Sequence, residues 1–232
     1  AIEGGMLVTN NKEFWERAVT FGHYGFLTEK NRPGKDSPYS EFNSTGLGFK
    51  YRIHPVAAAI ARIQLRKLEE DNAKRETCMG YLTEGLEGIP GIRVIKAPPY
   101  THRTYWGFRI AYKATELNGL DKDKFLHALD AEGVMCEDER YDLQHQQMAY
   151  RVNAYGPKFS RAPLEKRQSL PRTEALKSTL IGLPAFPEAP QELMEQYIYA
   201  FGKVTAQADE VAKITIKNQD IAKPPDKHSV IR

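Results

Sequence analysis

The sequence predicts a mixed α/β protein in which a long helix joins two subdomains. Apolar residues recur at helical spacing in some segments and form short β-rich runs in others, so helices and strands should alternate. Pro55 opens a long stretch rich in Ala, Ile, Leu, Arg and Glu, which is typical of an extended helix. The turn-forming residues 88–91 then mark a change of texture, where a small α+β subdomain is expected to begin.

The segment before the long helix is predicted to contain a strand, a helix and a loop. Met6–Thr9 is apolar and typical of a buried strand, and Asn11 can cap the helix that follows. Lys12–Phe21 carries apolar residues at helical spacing. Residues 22–48 are rich in Gly, Pro, Ser and Asn, which favours a long irregular loop, a kind of segment that is often functional.

The long helix is predicted over Val56 to about Tyr81, with its first half buried and its charged second half exposed. Beyond it, three or four strands and two helices are expected. The predicted strands are Ile92–Ile95, Tyr105–Tyr112, one entered through Val134–Cys136, and Leu180–Leu183; the predicted helices are Asp121–Glu132, ending at Gly133, and Pro190 to about Ala212. Trp15 and Trp106 are expected in the core. Residues 1–80 and 81–212 are therefore the two predicted parts, and 213–232 a polar tail.

Composition narrows the class of protein. The 232 residues hold 33 Lys and Arg against 30 Asp and Glu, intermixed along the chain, so the charge pattern does not indicate a nucleic-acid partner. No apolar run approaches the roughly 20 residues that cross a bilayer. Cys78 and Cys136 fit no metal or redox spacing and are expected to be reduced thiols of a cytoplasmic protein. Because the apolar run near Ala1 resembles a strand already under way, we expect a fragment, or a chain that begins after a cut or a modified residue.

Three separated groups of motifs carry a resemblance to a known family. They are Glu3-Gly-Gly-Met-Leu-Val-Thr9 with Phe21-Gly-His-Tyr-Gly25; Gly46-Leu-Gly-Phe-Lys-Tyr-Arg-Ile-His-Pro55 with Gln64-Leu65; and Tyr141, His145 and Gln147 with Leu170-Pro171, Thr173 and Leu183–Pro187. In order and spacing the chain resembles the DegT/DnrJ/StrS sugar aminotransferases over about residues 1–205. The resemblance implies pyridoxal 5′-phosphate as cofactor, the end of a transferase large domain joined by the long helix to a small C-terminal domain, and a homodimer.

The implied reaction moves an amino group from glutamate or glutamine to a keto-sugar, often nucleotide-linked. In the family, the lysine that holds the cofactor precedes the Glu-Gly-Gly strand, so it is expected a few positions before Ala1. Two alternatives stay open. Members with histidine at that position are sugar dehydratases, and a chain without the lysine could be a non-catalytic subunit that completes the site of a partner carrying it.

Lys50 and Arg52 are the candidate cofactor-binding residues. The resemblance places Lys50 where the family has an asparagine that reaches the cofactor phosphate of the neighbouring subunit; a solvated charge or the imine-forming lysine are the alternatives. The guanidinium of Arg52 suits a phosphate or carboxylate, or else an ion pair with an acidic neighbour. Gly46 and Gly48 are expected to permit positive φ and close backbone approach.

His145, His23 and Tyr24 are the candidate substrate-binding residues. The resemblance places His145 on the substrate side of the cleft, although residues 143–144 depart from the family's Pro-Leu, and a structural hydrogen bond is the alternative. His23 and Tyr24 could contact a sugar by stacking and hydrogen bonding, or could fix the long loop to the helix before it. No metal-ligand cluster is predicted.

Overall fold

A computed structural model describes residues 3–24, 27–46, 49–139, 141–147 and 169–216. The chain divides into two compact units, Ala1–Glu69 and Glu70–Arg232, which are described separately. Helices and sheet are both present, so the predicted mixed class is confirmed. The assignment of residues 1–80 and 81–212 to two domains stays a prediction, and most of the tail lies outside the described residues.

The first helix of the first unit is α1, Lys12–Phe21. The side chain of Asn11 caps this helix, because its Oδ1 accepts a hydrogen bond of 3.1 Å from the backbone N–H of Phe14. The helix closes at Gly22, whose N–H donates to the Ala18 carbonyl. Both the helix and its cap were predicted and are confirmed.

The predicted strand at Met6–Thr9 is wrong for the structure described. These residues belong to no strand, and Met6 and Val8 are 85% and 83% exposed. A strand needs a neighbour to receive its backbone hydrogen bonds, and no described residue supplies one here. Apolar composition alone could not establish strand pairing.

The loop after α1 is irregular, as predicted, with two short 3₁₀ turns at Glu29–Asn31 and Ser40–Ser44. It is nevertheless internally bonded. The N–H of Leu27, a residue only 5% exposed, donates to the Asn43 carbonyl, and Asn43 Nδ2 donates to the carbonyl of buried Pro33. The loop, residues 27–46, is thus a folded element with a small interior of its own.

Helix α2 spans Pro55–Leu86 and begins at the predicted proline. It ends more than one turn beyond the predicted Tyr81. The prediction placed the buried residues in the first half and the exposed residues in the second, and the structure shows the reverse. The buried residues are Met79, Leu82 and Leu86, near its C-terminus, whereas the large apolar residues of its first half are exposed. The spacing of the three buried residues places them on one helical face, which packs into the core of the second unit.

The second unit contains a four-stranded antiparallel sheet. Its strands are β1 Ile92–Val94, β2 Phe108–Tyr112, β3 Glu137–Asp138 and β4 Leu180–Leu183, in the spatial order β1-β2-β4-β3. Ile92 pairs with Tyr112, and Phe108 pairs with Leu183. All four strands were predicted, although β2 starts at Phe108 and not at Tyr105.

Four helices accompany this sheet in the described part of the unit. They are α3 Lys122–Ala131, α4 Pro171–Thr179, α5 Gln191–Ala206 and the short α6 Ala208–Val211. Asp121 caps α3 through its side chain, and Gly133 follows the helix with φ of 84°, as the predicted stop signal requires. Helix α4 was not predicted, although a proline at its first position was a signal for it.

The core lies on one face of the sheet. Phe108, Ile110 and Tyr112 alternate with half-buried positions along β2 and are at most 3% exposed. Phe125 of α3 stacks on Tyr112 at 4.8 Å between ring centroids, and Phe201 of α5 meets Phe125 at 6.0 Å. This aromatic column joins the sheet to two helices.

Two further predictions have clear outcomes. Trp106 is 77% exposed, so its placement in the core is wrong; it lies before β2 begins, outside the inward-facing alternation. Cys78 and Cys136 are both free. Burial raises the pKa of the Cys136 thiol to about 12, which makes it a poor nucleophile. Within the described residues, no helix combines the length and apolar character needed to span a membrane.

Candidate cofactor and substrate site

Four of the predicted site residues come together in the first unit, around the ring of Tyr24. The Nζ of Lys50 lies 5.6 Å from the ring centroid, and the Cζ of Arg52 lies 5.8 Å from it. The His23 ring is adjacent, with centroids 6.5 Å apart. We call these four residues the Tyr24 cluster. Two cations at these distances from one aromatic ring lie within the range of cation–π attraction.

The backbone around the Tyr24 cluster explains how segments distant in sequence meet. Tyr24 forms an isolated antiparallel bridge with Gly46, so the two ends of the loop are joined. Gly46 has φ of 59°, and a Cβ atom there would lie 1.9 Å from the His23 carbonyl oxygen. Only glycine permits this approach. The expected role of Gly46 is confirmed, whereas Gly48 lies outside the described residues.

An aromatic group fixes the segment that carries the two cations. The N–H of Tyr51 donates to the Gly22 carbonyl at 3.0 Å. Phe21 stacks on Phe49 at 4.7 Å, and Phe49 on Tyr51 at 5.6 Å. Because Lys50 lies between two residues of this group, its backbone is held while its side chain remains exposed.

The electrostatics of the Tyr24 cluster suit an anion. Lys50 and Arg52 are both exposed, and neither forms an ion pair with any described residue. The cluster therefore presents two positive charges that no carboxylate in the described part of the chain neutralises. A phosphate group is matched by this donor set, since lysine supplies a compact charge and arginine a planar fork of N–H groups. These residues fit the phosphate of pyridoxal phosphate.

His145, the fifth predicted residue, belongs to the second unit. Its Nε2 lies 2.9 Å from Glu174 Oε1, and Glu174 also accepts from the Leu170 N–H at 3.0 Å. The pKa of Glu174 lies below its ordinary value of 4.5. The largest cause is the hydrogen bond from His145, and the next is the hydrogen bond from the Leu170 N–H. Since Glu174 is ionised at neutral pH, it fixes Nε2 as the donor and leaves Nδ1 without a partner among the described residues.

The sequence did not predict the polar contacts of His145 and Arg109. Glu174 as the partner of His145 had no sequence signal, because the two residues are separated by 29 positions. On the sheet face opposite the core, the guanidinium of Arg109 contacts Glu139 at 3.2 Å and Glu137 at 3.5 Å. It crosses above Gly182, where a Cβ atom would lie 2.9 Å from Arg109 Nη1. Strand pairing, which places Arg109 opposite Gly182, could not be read from one sequence.

The fold is that of pyridoxal-phosphate-dependent aminotransferases, to whose solved structures the chain is similar. The chain belongs to the DegT/DnrJ/EryC1/StrS aminotransferase family, whose model matches residues 1–201. The resemblance found in the motifs is thereby confirmed. The aminotransferases of this family depend on pyridoxal phosphate.

Several relatives share this similarity. A protein from Micromonospora echinospora, whose name proposes that it is an L-glutamine:3-amino-2,3-dideoxy-scyllo-inosose aminotransferase, is 26% identical over 211 residues, covering 84% of this chain and 48% of that protein. The structure of S. venezuelae DesV is similar with a TM-score of 0.61 at 24% identity, covering 90% of this chain and 47% of that one. The E. coli GDP-4-keto-6-deoxy-D-mannose-3-dehydratase has a TM-score of 0.64 at 15% identity, covering 84% and 49%. The structural likenesses concern the fold. The chain spans about half the length of each of these proteins.

Proposed function

We propose that this chain is the C-terminal part of a pyridoxal-phosphate-dependent sugar aminotransferase, with Lys50 and Arg52 as ligands of the cofactor phosphate. The observation that carries the proposal is the approach of both cations to Tyr24 without an acidic partner among the described residues. A dianionic phosphate would supply the missing negative charge. Membership of a family that depends on this cofactor supports the assignment.

The residues of this chain bind and orient. Lys50 and Arg52 hold the phosphate, and Tyr24 limits where their flexible side chains can go, because its ring attracts both cations. His23 and Tyr24 are proposed to contact the sugar as well. When bound, the cofactor supplies the electron sink that amino-group transfer requires.

His145 is proposed to act on the substrate side. Glu174 orients its ring and fixes Nε2 as the donor, which leaves Nδ1 free to accept or hold a proton from a bound molecule. The side chains of His145 and Glu174 are 18% and 34% exposed, so the pair is partly shielded from water yet accessible. A histidine oriented by a carboxylate is a common arrangement for proton transfer.

The remaining parts of the activity come from the family resemblance. We propose glutamate or glutamine as amino donor, a keto-sugar, often nucleotide-linked, as acceptor, and a cytoplasmic homodimer in which Lys50 reaches a neighbouring subunit's cofactor. The lysine that holds the cofactor would come from residues outside this sequence, in the same polypeptide or in a partner. The name of the Micromonospora relative supports L-glutamine as donor.

A dehydratase with the same cofactor is the second candidate, because the E. coli dehydratase shares the fold with a TM-score of 0.64. The two functions differ in whether the acceptor gains nitrogen or loses water. Mass spectrometry of a keto-sugar incubated with the protein and ¹⁵N-labelled glutamine would separate them. Incorporation of ¹⁵N supports the aminotransferase; loss of 18 mass units without label supports the dehydratase.

The phosphate assignment is tested by a double variant, Lys50→Ala with Arg52→Ala, in the purified protein. Affinity is measured for pyridoxal phosphate by absorbance titration and for inorganic phosphate by competition. Each charge-assisted contact is worth roughly tenfold in affinity, so a loss of about 100-fold is expected for the double variant. Lys35→Ala, which removes an exposed lysine of the loop, is the matched control and should bind as the wild type does. Unchanged affinity in the double variant would remove both residues from the phosphate site.

A further inference from the structure

Glu16 is a buried carboxylate on a surface helix. It is 5% exposed, and its Oε2 accepts a hydrogen bond of 2.9 Å from the Ser37 hydroxyl. Its Oε1 has no hydrogen-bond partner among the described residues. The Nζ of Lys12 lies 3.9 Å from Oε1, but the Lys12 side chain is 81% exposed and well solvated. Among the described residues, one hydroxyl is therefore the main compensation for the burial of this charge.

The stability of α1 does not explain Glu16. Burying a carboxylate costs several kcal/mol unless it is paired and bonded, and an apolar side chain would fill the same place without that cost. The use of a carboxylate is explained by what it bonds to. Ser37 belongs to the loop, and its Oγ also accepts from the N–H of Tyr39 at 3.2 Å, so the hydroxyl is held on both sides.

The hydrogen bond from Ser37 to Glu16 fastens the turn at residues 34–37 of the loop to α1. From this turn the chain runs through the 3₁₀ turn Ser40–Ser44 to Gly46, which pairs with Tyr24. The internal bonds of the loop transmit a fixed position along it, because Asn43 is bonded to both Leu27 and Pro33. Where Ser37 is held, the place of Gly46 is constrained as well.

We infer that Glu16 is a positioning residue of the Tyr24 cluster, acting through Ser37 and the loop. The hydrogen bond between Glu16 and Ser37 keeps residues 27–46 closed against α1, so that Gly46 meets Tyr24 and the ring stays where Lys50 and Arg52 approach it. This inference rests on the proposed function only where it links the loop to phosphate binding. The anchoring of the loop itself stands on the geometry alone.

The test compares three serine substitutions in the purified protein. Ser37→Ala removes the donor, Ser37→Thr keeps a hydroxyl, and Ser40→Ala makes the same change in the same loop at a side chain that bonds to no described residue. Amide hydrogen exchange is followed by mass spectrometry in residues 27–46, and phosphate affinity by competition with pyridoxal phosphate. Ser37→Ala should speed loop exchange about tenfold and weaken phosphate binding severalfold, since a hydrogen bond to a buried charge is lost. Ser37→Thr should restore both, and Ser40→Ala should change neither.

Each outcome is decisive. Unchanged loop exchange in Ser37→Ala overturns the anchor, while Lys50 and Arg52 could still bind phosphate. Faster exchange with wild-type phosphate affinity overturns the positioning role. If Ser37→Ala does not fold because it leaves the carboxylate unpaired, Glu16→Leu removes acceptor and charge together and must show the same faster exchange. Failure of the proposed function has a different signature, namely no effect of the Lys50 and Arg52 substitutions.

Discussion

A Cβ atom on Gly46 would lie 1.9 Å from the carbonyl oxygen of His23, far inside any allowed contact. The two backbone segments at the ends of the loop therefore meet more closely than any other residue type would permit. This contact places His23 and Tyr24 next to the end of the loop and close to Lys50. The candidate site depends on this one backbone junction.

Replacing Gly46 by alanine should break the junction. The new Cβ would collide with backbone that cannot move aside, and φ of 59° is strained for alanine, so we expect a loss on the order of 2 kcal/mol or more in the free energy of unfolding. Urea unfolding followed by circular dichroism measures this. The control is Gly34→Ala in the same loop, where a Cβ would meet nothing within 4 Å. Equal stability of the two variants would contradict the close approach.

Tyr24 should contribute to phosphate affinity through its ring and not through its hydroxyl. Tyr24→Leu removes the aromatic face that both cations approach, and we expect severalfold weaker binding of inorganic phosphate, since each exposed cation–π contact is worth roughly 0.5–1 kcal/mol. Tyr24→Phe retains the face and should bind as the wild type does. Competition with pyridoxal phosphate provides the measurement, and identical losses in the two variants would show that the hydroxyl matters instead.

His145→Ala should lower turnover or sugar binding while pyridoxal phosphate is retained, because His145 belongs to the proposed substrate side and not to the Tyr24 cluster. A loss of about 10²-fold or more in kcat is the usual scale for a group that transfers protons. Steady-state kinetics and a cofactor titration on the same preparation separate the two effects. Wild-type kinetics in this variant would show that His145 has only a structural role, as the hydrogen-bond partner of Glu174.

Glu174 provides a pH test of the same pair. Its pKa lies below 4.5 chiefly because the ionised form accepts from His145, so the pair is stabilising above that ordinary value and is lost as pH falls through the lower folded-state pKa. In His145→Ala the pKa of Glu174 should rise toward 4.5, with the Leu170 N–H and the Ser169 side chain still holding it down. Carboxyl ¹³C chemical shifts followed against pH measure the change. A Glu174 titration that does not move would contradict the hydrogen bond.

Local signals in the sequence predicted most of the elements in the described residues. Asn11 caps a helix, Pro55 begins one and Gly133 ends one. Each of these mechanisms needs only the residue's immediate neighbours, and each boundary lies where the sequence predicts it. Pro171 carries the same signal at the first position of α4. Where the physics was local, the prediction was accurate.

Relationships between distant residues were less accessible. Met6–Thr9 has strand-like composition but no partner among the described residues, and α2 buries its C-terminal turns because the sheet lies there, which its own periodicity cannot reveal. For the candidate site, the motifs placed Tyr24 in one group and Lys50 and Arg52 in another, and the structure brings the three residues together. The pairs Glu16–Ser37 and His145–Glu174 join residues 21 and 29 positions apart and could not be inferred.

A final prediction concerns the buried hydroxyl of Tyr112 in the core. The hydroxyl donates a hydrogen bond of 2.7 Å to the Leu120 carbonyl. Burial raises the pKa of Tyr112 to about 12, and the charge of Asp121 makes a smaller contribution. Because the folded state favours the protonated form, its contribution to stability is complete below the unfolded-state pKa of about 10 and is lost as pH rises from there toward 12. Tyr112→Phe should cost about 1 kcal/mol at pH 7, since it leaves the Leu120 carbonyl unsatisfied, and should reduce the fall in stability between pH 10 and 12. Urea unfolding at several pH values measures both effects. Tyr100→Phe, at a side chain 87% exposed, should change neither, and an unaltered alkaline profile in Tyr112→Phe would show that another group is responsible.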